Sequence, residues 1–253
     1  MKLAHIINVT EIDESKKSSY LHIAQPVTLQ SMLIARTNAK AQLDIDLVAI
    51  KHQAEEVQVP DTFILAPNIG KYAWEYIPAL CNQVPQRPLP RLVDIINGLY
   101  AVSDAEYFIY TNLDIGLFEN FYMVVKAIID EGYDAFCINR IDLPKLHKGV
   151  PLDVNNMKIF PQVAGRKHIG IDCFIFRRDI VPQLALGNVY IGYPPVGMVL
   201  KTQIEKNSKN FAWFKDIAVT YHLGSDTPWK NEKSFYYREN FKQANGLYEH
   251  CFD

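Results

Sequence analysis

Two hydrophobic patterns alternate along this chain. Short unbroken apolar runs read as buried strands, and longer stretches with apolar residues three and four apart read as amphipathic helices. Residues 3–9 form the first run. Residues 11–19 are charged and serine-rich, hence a loop. Pro26 suits a first helical position, and Leu29, Met32, Leu33 and Ile34 carry a helix to about residue 41. A second strand follows over 43–50, and β-α-β order implies parallel pairing with a right-handed crossover. Residues 52–86 hold four prolines and lose periodicity, although Phe63, Ile64 and Leu65 suggest a short strand.

Leu92, Ile95, Ile96, Leu99 and Val102 restore helical spacing and lead into a strand over 106–111, which ends in Asn112-Leu113-Asp114. The next helix spans 119–131, with Gly132 as its stop. Strands are predicted at 134–140, 171–176, 189–191 and 217–221. A helix opens at Pro194-Pro195, and a terminal helix covers 233–244. The stretch 143–162, with three prolines, reads as a long loop. The whole predicts one α/β domain, with a mostly parallel central sheet and helices on both faces. Residues 1–115 and 116–253 would form its two halves, the second ending in the C-terminal helix.

Composition narrows the picture modestly. The 253 residues are 49% hydrophobic and 21% charged, with net charge −2, a globular balance with no general basic excess to recruit nucleic acid. Cys81, Cys137, Cys173 and Cys251 lack metal or redox spacing. The N-terminal run is too short and polar for a secretory signal, and no run is long enough to span a bilayer. The expected address is the cytoplasm, with surface attachment to a membrane left open.

Missing glycines shift attention to chemistry. The first glycine is Gly70, so neither a G-x-G-x-x-G turn nor a P-loop follows strand one. A sheet of this kind that binds a nucleotide diphosphate needs another source of positive charge, and a divalent cation held by carboxylate and imidazole is one. Asn112 and Asp114 alternate at a strand end and can face one side. His222 follows the last predicted strand, within Thr220-Tyr221-His222-Leu223-Gly224 and ahead of Pro228-Trp229. The plain alternatives are a turn-capping Asp and a surface His.

This pairing resembles GT-A-type glycosyltransferases. Their central strand ends in an Asp-x-Asp motif that holds Mn²⁺ or Mg²⁺ on the donor diphosphate, and in several families a C-terminal His adds a ligand. Asn112 stands where the first Asp would be. The stretch from His222 to Trp229 is similar to the C-terminal motif of the glycogenin-like branch, one residue shorter and without its Lys. The resemblance implies a nucleotide-sugar donor, bound by residues 1–115, and a glycan or other hydroxyl acceptor, bound by residues 116–253. It implies Asp114 and His222 as metal ligands, and Asn8, Thr10, Arg91 and Asn112 on the donor side. Arg140, Asp142, His168 and Trp229 fall on the acceptor side. Inverting members carry a carboxylate where this chain has Gly192-Tyr193-Pro194-Pro195-Val196-Gly197, so Asp172 becomes the candidate base. Two other classes stay open: a degenerate transferase fold that binds carbohydrate or a partner, and a sugar nucleotidyltransferase, disfavoured by the absent early glycines.

Overall fold

The computed structural model describes residues 1–12, 20–83, 86–224 and 234–248. In chain order the elements are β1 Lys2–Asn8, α1 Leu21–Ala39, β2 Asp44–Ile50, β3 Ile64–Leu65, α2 Ala73–Tyr76, α3 Leu92–Val102, β4 Tyr107–Thr111 and β5 Ile115–Leu117. There follow α4 Phe121–Asp130, β6 Ala135–Leu143, β7 Leu146–His147, β8 Val150–Pro151, β9 Arg166–Arg177, α5 Val196–Asn207, β10 Phe211–Phe214, β11 Thr220–Leu223 and α6 Phe235–Gln243. Nine strands form one sheet in the order β3-β2-β1-β4-β9-β6-β11-β5, with β10 also on β6, and β7 and β8 form a separate hairpin.

Strand alternation builds both layers. In β1, Ala4 and Ile6 face the side covered by α3 and α5, where Leu92, Ile95, Leu99, Val199 and Leu200 pack. Leu3 and Ile7 face α1 and α4, against Met32, Ala35, Phe121, Tyr122 and Val125. Cover on both faces is why the strands read as continuous apolar runs.

Most of the sheet is parallel, but β9 runs antiparallel to both β4 and β6, and β5 antiparallel to β11. Thr111 ends β4 opposite Cys173. The first half of β9 and the last third of β6 therefore extend past the end of β4, and β11 pairs with that part of β6. The sheet also curls. Four peptide steps from Thr111 to Ile115 reach about 14 Å, yet β9, β6 and β11 lie between β4 and β5, and four flat strand spacings would cover about 19 Å. The curl lets Asp114, in the turn between β4 and β5, meet β11.

Several sequence expectations need correction. Pro26 lies inside α1, which starts a turn earlier at Leu21. The Gln25 side chain accepts from Thr10 N–H and donates to Thr10 C=O at 3.0 and 3.1 Å, anchoring that extra turn. The 143–162 stretch is not a bare loop. It holds the β7–β8 hairpin and a 3₁₀ turn over Met157–Gln162, fastened by buried Leu152, Phe160 and Val163 against Tyr221 and Leu223. Residues 189–191 make only an isolated bridge, Arg91 to Tyr190. The last strand lies three residues later than its apolar start suggests, so His222 is within it rather than after it.

Candidate functional site

Asp114 and His222 meet at the C-terminal edge of the sheet. Ile115, the residue after Asp114, pairs with His222 in the β5–β11 ladder, and the Asp114 Oδ2 to His222 Nε2 distance is 3.2 Å. His222 Nδ1 donates to Gly224 C=O at 3.0 Å. That bond fixes the ring and leaves Nε2 facing the carboxylate. In the neutral tautomer Nε2 carries a lone pair, the orientation of an imidazole ligand with its outer nitrogen tied to a carbonyl. Burial lowers the His222 pKa, but the Asp114 hydrogen bond and charge outweigh it and raise the imidazole above its usual value. Burial raises Asp114, and His222 with Arg140 outweighs that, holding the carboxyl below the ordinary range.

The pair fits a divalent ion. Two neighbouring ligands at about 2.1 Å in an octahedral shell stand about 3 Å apart, close to the observed separation. Among the described residues no cluster of three or more His, Cys, Asp or Glu could hold a metal ion.

Beside them, β6 and β9 supply a charged network. Arg140 forms ion pairs with Asp172 and with Asp142, the latter at 3.1 Å, and both arginine and aspartates are largely buried. Asp142 Oδ1 lies 4.0 Å from His222 Nδ1. Burial opposes the charge on Arg140, but Asp172, Asp142 and Asp114 more than compensate and raise its pKa. Asn112 Nδ2 donates to Asp172 Oδ1 at 2.8 Å. Between Asn139 and Ile141 the β6–β9 register shifts, so residues 168–170 bulge opposite Arg140. His168 Nδ1 accepts from Gly170 N–H at 2.8 Å and closes that bulge, with its Nε2 3.5 Å from Arg140 Nη2. Burial and the Arg140 charge lower the His168 pKa, against the opposing pull of Asp142 and Asp172.

At the ends of β1 and β2 a second group gathers. Thr10 Oγ1 donates to Glu55 Oε1 at 2.8 Å. Asn8 Nδ2 donates to the Ile50 carbonyl at 3.1 Å, so this amide ties β1 to β2. His52 stacks on Tyr72 with ring centroids 3.6 Å apart. Its Nδ1 accepts from Ala54 N–H at 3.1 Å, and its buried Nε2 has no hydrogen-bond partner among the described residues. A buried donor of this kind is costly to leave unmet, which marks the spot as one that a ligand acceptor would complete.

Asp114, His222, Asn112, Arg140, Asp142, Asp172 and His168 are thus brought into one network. Asn8 and Thr10 lie at the end of β1, away from that chain of contacts. Arg91 is committed elsewhere: it forks onto Asp94 at 2.8 and 2.9 Å, donates to Asn188 at 2.9 Å and lies 3.3 Å over the Tyr76 ring. Trp229 lies outside the described residues. Tyr193 is packed against Tyr236 at 5.8 Å, inside a small aromatic core. Sequence reasoning missed His52, Glu55 and Tyr72, which fall in the irregular stretch after β2. The available signal was a His just beyond an apolar strand, the same feature that drew attention to His222.

No protein-family model matches the chain, and no curated protein matches it. Solved structures do. The S. aureus TarS 1-349 fragment in complex with UDP-GlcNAc aligns with TM-score 0.53 at 14% identity, over 90% of this chain and 60% of the fragment. The same fragment with UDP gives 0.51 at 14% identity, over 89% and 61%. Glucosyl-3-phosphoglycerate synthase from Mycobacterium tuberculosis, in complex with Mn²⁺, UDP and phosphoglyceric acid, gives 0.50 at 10%, over 98% and 80%. This chain spans about three-fifths of the length of the TarS fragment. At such identities the likeness is one of fold, and the fold is GT-A, as the sequence resemblance implies.

Proposed function

We propose that this chain is a glycosyltransferase that moves a sugar from a nucleoside-diphosphate donor to an acceptor hydroxyl. The observation that carries the reading is the meeting of Asp114 and His222, 3.2 Å apart where the β4–β5 turn reaches β11, at the edge where open α/β sheets take ligands. This pair would hold Mn²⁺ or Mg²⁺, and such an ion supplies charge stabilisation to a departing diphosphate. The GT-A neighbours described with UDP-GlcNAc, or with Mn²⁺ and UDP, support the donor class.

The chain's own residues divide the remaining work. The ends of β1 and β2 would take the nucleoside: Tyr72 and His52 offer a stacked face and an unmet N–H, and Glu55, held by Thr10, offers acceptors for ribose hydroxyls. Asn8 acts there by fixing backbone. Phosphate binding by Arg91 would require its bonds to Asp94 and Asn188 to break. On the acceptor side, Arg140, Asp142 and His168 present donors and acceptors of both signs. Asp172 would take the proton of the attacking hydroxyl, using the lone pairs not engaged by Asn112 and Arg140.

The engagement of both Asp172 oxygens favours a second reading, donor binding without turnover. Calorimetry with UDP, GDP and dTDP, with and without Mn²⁺, tests the first step. One nucleotide should bind at least about tenfold tighter with metal, and Asp114→Ala and His222→Ala should remove that gain. No binding of any nucleotide under either condition overturns the proposal. Donor hydrolysis that is lost in Asp172→Asn separates an enzyme from a binder.

A further inference from the structure

Charge and exposed apolar surface are unevenly spread. Residues 145–169 hold five Lys or Arg and one Asp, a net charge of +4 in a chain of −2, which leaves −6 for everything else. Lys148, Lys158 and Arg166 are exposed, as is Lys167, which pairs with Asp216 at 2.5 Å. Among the described residues nine large hydrophobics are exposed, and Leu146, Val150, Val154 and Ile169 of this stretch are four of them. Ile169 is 89% exposed, at the crest of the bulge beside Arg140.

Geometry says what such a surface meets. In the β7–β8 ladder Leu146 pairs with Pro151 and His147 with Val150. Paired residues share a face, so Leu146 and Val150 point to opposite sides of the hairpin. Lys148 and Gly149 have φ of +50° and +80° and close a two-residue turn, which puts Lys148 at the extreme tip. The hairpin follows directly on the end of β6, and Ile169 lies on the part of β9 that overhangs the end of β4 beside it. A rigid groove would bury one face of this hairpin and leave the other wet. A soluble polyanion would satisfy the lysines and leave all the aliphatics in water. A fluid interface with negative headgroups takes a two-sided apolar tip and its surrounding cations together.

We infer that this overhang docks on an anionic lipid bilayer, with the β7–β8 tip and Ile169 entering the interface and the flanking Lys and Arg resting on headgroups. Attachment is peripheral: among the described residues no helix is long and apolar enough to cross a membrane. The inference rests on surface chemistry and does not depend on the glycosyltransferase reading.

Co-sedimentation with vesicles tests it. Phosphatidylcholine vesicles containing about 30% phosphatidylglycerol should bind the 253-residue chain at least about tenfold more than phosphatidylcholine alone, with loss at about 0.5 M salt. Combined Leu146→Ser, Val150→Ser and Ile169→Ser should cut vesicle binding about tenfold while Tm and retention on a polyphosphate column stay unchanged. Lys148→Glu with Lys158→Glu should reduce vesicle binding as well. No binding to the anionic vesicles overturns the inference. So does vesicle binding that the triple serine variant leaves intact, which would mark the surface as a charge-only site for a soluble polyanion.

Discussion

Asn112 joins Asp172 to Tyr110: its Nδ2 donates to Asp172 Oδ1 at 2.8 Å, and its Oδ1 accepts from Tyr110 O–H at 3.0 Å. An amide can do both, whereas an ionised carboxylate can only accept. A carboxylate at this position would still accept from Tyr110 but would face Asp172 with like charge. An amide rather than a carboxylate at 112 therefore has a local cause, since β9 brings its own carboxylate to the end of β4. Asn112→Asp should lose about 1–3 kcal/mol in urea unfolding at pH 7.5, and more than Asn112→Ala, which removes the bond without adding repulsion. An Asp variant as stable as the original chain would show that the contact has no weight.

His5 makes the fold sensitive to acid. It lies in the middle of β1, fully buried, with its two ring nitrogens 2.9 Å from Tyr122 Oη and Thr111 Oγ1. Burial pushes its pKa down from 6.5 to about 3. A depressed folded-state value means that the contribution is complete above pH 6.5 and declines as pH falls from there towards 3. The slope is roughly 1.4 kcal/mol per pH unit, or about 2 kcal/mol by pH 5. Urea unfolding at pH 7.5 and pH 5 should show a larger loss for the original chain than for His5→Asn. Equal losses would assign the acid sensitivity to other groups.

Periodicity made the scaffold legible, because α3, α4, β1, β2 and β4 bury regular faces. It failed where pairing partners rather than sequence set the element. Residues 166–170 hold a single apolar side chain, Ile169, and none is buried, so nothing marked them as strand, yet they extend β9 along β6 over the site. β5 has three residues, and β10 is visible only as Phe211 to Phe214 against β6. Asp114 and His222 stood out by type and position at strand ends. Their approach depends on the curl of the sheet, which no local pattern carries. Glu55, His52 and Tyr72 come together through backbone bridges between irregular segments, such as His52 to Ile69.

Asn240 secures α6 to the turn before α5. Its Nδ2 donates to the carbonyls of Tyr190 and Tyr193 at 3.0 and 2.9 Å, and its Oδ1 accepts from Tyr190 N–H at 3.0 Å. The side chain is fully buried, so Asn240→Ala strands several backbone groups and should cost at least about 2 kcal/mol. Limited proteolysis should then release the C-terminal segment before the rest of the chain unfolds. Release at the same rate from both proteins would show that α6 is held by its aromatic packing alone.

Gly116 is the most sensitive point between fold and site. It pairs with Tyr221 across the β5–β11 ladder, and the Tyr221 ring occupies the space where a Cβ on residue 116 would stand. That ring packs on Phe118 and Phe160 at 4.9 and 5.4 Å, so it has little room to retreat. Gly116→Ala must move β5 or β11, at about 1–3 kcal/mol for overpacking. Because Ile115 and His222 are the next pair in the ladder, the same movement separates His222 from Asp114. The variant should therefore fold with a lowered Tm and lose about tenfold in Mn²⁺-dependent nucleotide affinity, while metal-free affinity stays the same. Unchanged affinity in a destabilised variant would mean that the ladder does not set the spacing of the Asp114–His222 pair.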